Sequence, residues 1–101
     1  MILILCPLKI ELEEIARHFK KNGFLCVEHH SPETGKYYIY NDLFLLAIGG
    51  LGKVEMALHT QHYIQNHQNI DLVICAGTAG SLIESVQIGS TVISTKTLEY
   101  D

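Results

Sequence analysis

The sequence predicts an α/β fold, and three observations carry that prediction. Ile2–Cys6 and Asp71–Ala76 are apolar runs of strand length, as expected of strands buried on both faces of a sheet. Lys9–Asn22 and Lys53–Asn66 instead space their apolar residues at helical intervals. Small-residue turns, Gly49-Gly50-Leu51-Gly52 and Gly77-Thr78-Ala79-Gly80, follow apolar segments, where open α/β sheets bind ligands.

Taken in order, the first strand is stopped by Pro7. The first helix then carries Ile10, Leu12, Ile15, Ala16 and Phe19, with Gly23 as the residue just past its end. Phe24–Glu28 reads as a second strand, and Ser31-Pro32-Glu33-Thr34-Gly35 as a turn. Lys36–Tyr40 and Leu43–Ile48 form a hairpin around Asn41-Asp42, without the glycine of the strongest hairpin signal. The second helix is expected to bury Val54, Ala57, Leu58, Tyr63 and Ile64. After Asp71–Ala76, Gly89 introduces a last strand, Ser90–Thr95. The predicted order is β-α-β-β-β-α-β-loop-β.

A chain of 101 residues, 48% hydrophobic and 18% charged, is one domain or part of one. At this length folding buries only about two-thirds or less of the surface, so so apolar a chain invites a partner. The net charge of −4, with Arg17 the sole arginine, excludes a nucleic-acid backbone binder. No segment approaches the roughly 20 apolar residues of a membrane span, and Met1–Leu5 lacks the length and basic flank of a leader. Cys6, Cys26 and Cys75 form no CxxC; Cys6 and Cys75 read as small buried hydrophobes, which fits a reducing cytoplasm.

Among residues that carry chemistry, Glu11 stands in the first helical turn beyond the first strand. Its bland reading is compensation of the helix dipole, the role assigned to Glu13 and Glu14. Its functional reading is a general acid or base, which calls for desolvation to lift the carboxyl pKa. Each glycine cluster is either a tight turn or a cradle for a ligand. The segment Gly49–Val54 is neither a Walker A loop nor GxGxxG. His59 and His62 share a helix face without a Cys or carboxylate to complete a ligand set, so no metal is expected. His29-His30 reads as solvated.

In order, Ile2–Leu5 with Pro7-Leu8-Lys9-Ile10-Glu11, Gly50-Leu51-Gly52-Lys53-Val54, Asp71–Gly80 and Ile88–Ser94 resemble the first half of the nucleoside phosphorylase/nucleosidase superfamily. The 5′-methylthioadenosine/S-adenosylhomocysteine nucleosidases are the nearest group, with futalosine hydrolase a near relative. The resemblance implies the N-terminal part of a phosphorylase/hydrolase-like three-layer α/β/α fold with a central mixed sheet, residues 1–101 forming a partial domain. It implies that Glu11 positions and activates the attacking water. Leu8 would face the ribose, Leu51 the pocket of the 5′ substituent, and Thr78 the ribose and water, with Ala79 and Gly80 beside the base and Gly50 a further substrate-binding residue. Asp101 matches a loop aspartate to which no role is assigned.

The implied reaction is hydrolysis of a purine N-glycosidic bond, without cofactor or metal. Phosphorylases bind phosphate through arginines, and the only one here lies inside a helix. The family's later half supplies a glutamate for the ribose hydroxyls and an aspartate for the leaving base, and this sequence contains no match to either. Three readings therefore stand together: a nucleosidase site incomplete in these residues, an inactive nucleoside-binding or assembly module, and part of a nucleoside phosphorylase. The expected partners are a small nucleoside and either a second copy or a complementary chain.

Overall fold

The computed structural model describes residues 1–99; Asp101 lies outside them. The elements run β1 (Ile2–Cys6), α1 (Lys9–Lys21), β2 (Cys26–Ser31), β3 (Gly35–Tyr40), β4 (Phe44–Ile48), α2 (Lys53–Asn66) and β5 (Leu72–Cys75). They build one five-stranded sheet in the order β2-β3-β4-β1-β5. β1 lies parallel to both β4 and β5, while β2-β3 and β3-β4 are antiparallel, so the sheet is mixed.

Alternation along β1 divides the core. Leu3 and Leu5 pack with Leu45, Ala47 and Tyr63 of α2 on one face, and Ile4 and Cys6 pack with Leu46, Tyr40 and Leu12 of α1 on the other. The helices thus cover opposite faces, giving the three layers α/β/α. β1 is buried on both sides, as its unbroken apolar run requires.

The end of α1 shows why its boundary was legible. Gly23 takes φ +79°, its N–H donates to Lys20 O, and Phe24 N–H donates to Phe19 O. This is a Schellman closure, completed by contact of the Phe19 and Phe24 rings at 5.0 Å. Phe24 is therefore committed to the helix end, and β2 starts at Cys26 rather than Phe24, running on through His29 and His30. Asn41 and Asp42 both adopt positive φ (52° and 55°), and Leu43 N–H bonds back to Tyr40 O. The left-handed pair that a tight hairpin needs is here supplied without glycine.

Three expectations are corrected. β5 was expected to be buried, yet Leu72, Val73, Ile74 and Cys75 are all exposed. It is an edge strand with β1 on one side only, and neither face is covered among the described residues. Cys75 is accordingly an exposed thiol, unlike Cys6. Ser90–Thr95 forms no strand, and no ladder partner lies alongside it among the described residues. Lastly, α2 turns Val54, Ala57, Leu58 and Ile64 outward and buries Tyr63, with Met56, His59, Thr60 and His67 half-buried. No helix among the described residues is long and apolar enough to cross a membrane.

Candidate functional site

Because β1, β4 and β5 are parallel, their carboxyl ends emerge at one end of the sheet, and the two small-residue turns after β4 and β5 meet the Pro7-Leu8 segment after β1 there. Gly49 N–H donates to Cys6 O (2.8 Å) and Ala76 N–H to Leu5 O (2.9 Å), tying the loops after β4 and β5 to the end of β1. The connection leaving β1 runs through α1 to β2 on one side and the connection leaving β4 runs through α2 to β5 on the other, the switch-point arrangement at which open sheets bind ligands.

Glu11 is the charge at this end. Its Oε1 accepts from Leu8 N–H (3.0 Å), the half of a capping box that a glutamate at the third helical position can make; Leu8 has no side-chain acceptor to return it. Its Oε2 accepts from the backbone N–H (2.6 Å) and the hydroxyl (2.9 Å) of Thr78. Residues 67 positions apart are so joined, and the start of α1 is bound to the exit of β5. Glu11 and Thr78 line a cleft of about 570 Å³ with Ile10, Glu14, Ile15, Ala76, Gly77 and Thr91.

The electrostatics run opposite to the sequence expectation of a raised pKa. The Thr78 backbone N–H, then its hydroxyl, hold the Glu11 carboxyl below its ordinary 4.5; burial opposes this, and Leu8 N–H adds to the lowering. Such a group stabilises the fold above pH 4.5 and loses that contribution as pH falls through its depressed native value. Beneath it, burial first, then the Glu11 charge and Cys75, push the Cys6 thiol up to about 11, so Cys6 stays protonated at neutral pH.

A carboxylate offers roughly four acceptor positions, and the donors from Leu8 and Thr78 fill three. The remaining one, on Oε1, suits a water molecule. Glu11 is always in its proton-accepting form at neutral pH, and its donors make it a weak base, so this geometry orients a water more than it deprotonates one.

Gly77 makes the close approach possible. A Cβ there would stand 2.8 Å from Glu11 Oε2 and 3.3 Å from Pro7 Cδ. Gly77→Ala is expected to push the carboxylate off Thr78 and raise its titration midpoint toward 4.5, read by carboxyl ¹³C NMR. An unchanged midpoint would show that the loop absorbs the methyl group.

Of the residues singled out by sequence, Glu11 and Thr78 meet directly. Ala79 and Gly80 line a separate hollow of about 410 Å³ with Ser81 and residues 86–90 and 92. Leu8, Gly50 and Leu51 stand outside the Glu11 cleft, Leu8 and Leu51 exposed and Gly50 buried at φ +89°. Gly77 was singled out only as part of the small-residue turn, and Thr91 was missed, since no local signal marks it. Glu14, read from sequence as compensating the helix dipole, and Ile15, read as part of the apolar stripe, also line the cleft, three and four positions beyond Glu11 on one helix face. Glu14 also pairs with Arg17 at 2.8 Å. His59 Nδ1 donates to Ile48 O, and His62 Nε2 lies 3.1 Å from Ser31 Oγ, so both are engaged in packing α2. Among the described residues no group of three or more His, Cys, Asp or Glu side chains is placed to hold a metal ion.

Comparison with known proteins agrees with this end-of-sheet architecture. The family model described as Phosphorylase superfamily matches residues 1–101. The 5′-methylthioadenosine/S-adenosylhomocysteine nucleosidase of Staphylococcus carnosus is 38% identical over 66 residues, which are 65% of this chain and 28% of that protein. The solved structure of Helicobacter pylori MTAN matches with a TM-score of 0.63 and 26% identity, covering 86% of this chain and 38% of its own. The chain therefore spans less than two-fifths of either relative. With its model matched from end to end and its mixed sheet shared with a solved relative, the chain belongs to the phosphorylase superfamily.

Proposed function

We propose that these residues build the water side of a purine nucleosidase site, in which an N-glycosidic bond is hydrolysed. The carrying observation is the Glu11 carboxylate, fixed by Thr78 and Leu8 with one acceptor position left on Oε1. Departure of the base leaves an oxocarbenium-like sugar, which needs a water held in line and a nearby negative charge more than a strong base. Glu11 supplies both, with Thr78 as its positioning residue. Leu8 is assigned to the ribose, Leu51 to the 5′ substituent, and Ala79 and Gly80 to the base, with Gly50 a further substrate-binding residue. The ribose clamp and the acid for the leaving base fall to other parts of the family's fold. No cofactor is required, and the cytoplasm supplies the reducing setting that the free thiols suit.

Hydrolysis is favoured over phosphorolysis on electrostatic grounds. The one arginine is engaged by Glu14, and an ionised Glu11 in the cleft repels phosphate. The similarity to the Staphylococcus carnosus nucleosidase supports the same choice.

A second reading, as an assembly module, is favoured by the uncovered β5 and by Leu82 and Ile88, which are fully exposed. Such surface suits a second copy or a complementary chain, and binding through it is compatible with the site.

Titration with 5′-methylthioadenosine, followed by amide NMR, separates these readings. Saturable shifts at the Leu8 and Thr78 amides are expected. Shifts absent at both, or confined to residues 79–92, contradict the site.

A further inference from the structure

α2 is held to the sheet in an unusual way. Its aliphatic residues point outward, and its last turns meet the β2–β3 hairpin through aromatic and imidazole rings instead. His29 of β2 stacks on Tyr37 of β3 at 5.0 Å. Tyr37 meets His67, the residue capping α2, edge-on at 5.6 Å and Tyr63 at 5.3 Å. His62 lies 5.5 Å from the Tyr63 ring. The hairpin turn adds two polar ties, His62 Nε2 to Ser31 Oγ (3.1 Å) and Thr34 Oγ1 to the Tyr63 hydroxyl (2.8 Å).

We propose that His29, His62 and His67 form an acid-sensitive latch, which holds the C-terminal half of α2 on the β2–β3 hairpin at neutral pH and releases it on mild acidification.

The tie at Ser31 survives protonation. Ser31 Oγ–H donates to Glu33 Oε2 (3.0 Å), so His62 Nε2–H is the donor to Ser31 Oγ, and a second proton on His62 leaves that bond intact. Glu33, which His62 helps to hold below its ordinary value after the larger effect of Ser31, compensates a charge there. Among the described residues His67 has no such partner. It is half-buried between two tyrosines, and burial first, then His29 and His62, lower its pKa below 6.5. A lowered histidine stabilises the docked state above pH 6.5, and that stabilisation is lost as pH falls.

The titratable groups around His67 are His29 from β2, Tyr37 from β3, and His62 and Tyr63 from α2, with Glu33 beyond the turn. The amino terminus at the head of β1 is paired with Asp71 ahead of β5 at 3.4 Å. Glu28 and Lys36 bond to each other on the opposite face of the hairpin, since alternate strand residues point apart. Glu33 thus faces His62, and among the described residues no carboxylate compensates His67.

The test is imidazole NMR titration joined to amide hydrogen exchange, with α2 compared at pH 7.5 and 5.5 after correction for intrinsic exchange. His67 is expected to titrate below 6.5. Protection of 60–66 should fall relative to β1 and β4, about tenfold for each pH unit by which His67 is depressed. In His67→Gln the fall should disappear. In His29→Gln the His67 midpoint should rise, a readout that survives if the first variant folds poorly. Protection in α2 that does not change with pH, or that falls equally in His67→Gln, overturns the latch. So does a His67 midpoint at or above 6.5, which would mean that the tyrosines stabilise the cation.

Discussion

Glu11→Gln is expected to reduce nucleoside hydrolysis by about 10²–10³-fold when introduced into a catalytically complete form carrying this site, the range lost when one preorganised electrostatic contact to a developing charge is removed. Glutamine keeps the shape and removes the charge, and it also disturbs the bonding. Its amide has one acceptor oxygen, whereas Glu11 presents acceptors to Leu8 N–H on one side and to two Thr78 donors on the other. Either orientation sets an NH₂ against a donor. The loss should therefore appear in kcat, with a smaller rise in KM and a lowered Tm. Adenine release unchanged within twofold would remove Glu11 from the chemistry and leave it a helix-capping residue only.

The largest effect on stability is expected at Tyr63. It is 1% exposed and the only residue of α2 that is fully buried among those described, packed against Leu3, Leu5, Leu45 and Ala47. Tyr63→Ala should cost about 3–5 kcal/mol, the usual range for emptying a buried aromatic site. For a small domain that is a large share of total stability. Tyr63→Phe keeps the ring and loses only the bond to Thr34, so it should cost about 1 kcal/mol. Denaturant unfolding of the pair separates packing from hydrogen bonding. Equal losses would mean that α2 is held by the Thr34 tie and not by the ring.

What the sequence made legible, and what it concealed, follows from the range over which each signal acts. β1 was readable because a strand covered on both faces needs an unbroken apolar run, and Leu3 to Cys6 provide it. The end of α1 was readable because Gly23 closes a local motif with Phe19, Lys20 and Phe24. The burial of β5 was misread for the converse reason. Leu72–Cys75 has the same apolar character as β1, but exposure depends on what lies beside a strand, which no local pattern encodes. In α2, two stripes compete at helical spacing. The aliphatic one, with Val54, Ala57 and Leu58, is the obvious choice for burial, yet the hairpin offers hydroxyls and rings that select His62, Tyr63 and His67, while Met56 packs on the Leu3 and Leu5 core. The candidate site divides along the same line. Glu11 was visible from its place after β1, and Thr78 from its place after β5, but their bond spans 67 positions and only the resemblance joined them. Thr91 carries no sequence signal, because it reaches the cleft through a segment without regular structure.

The most direct test of the account is the titration of the Glu11 carboxyl by ¹³C NMR, in the native chain and in Thr78→Val. A site built to hold an ionised carboxylate predicts a midpoint below 4.5 in the native chain and a rise in the variant, because the hydroxyl donor is removed while the backbone donor remains. A midpoint at or above 4.5 in the native chain, or one that Thr78→Val leaves unmoved, would contradict it.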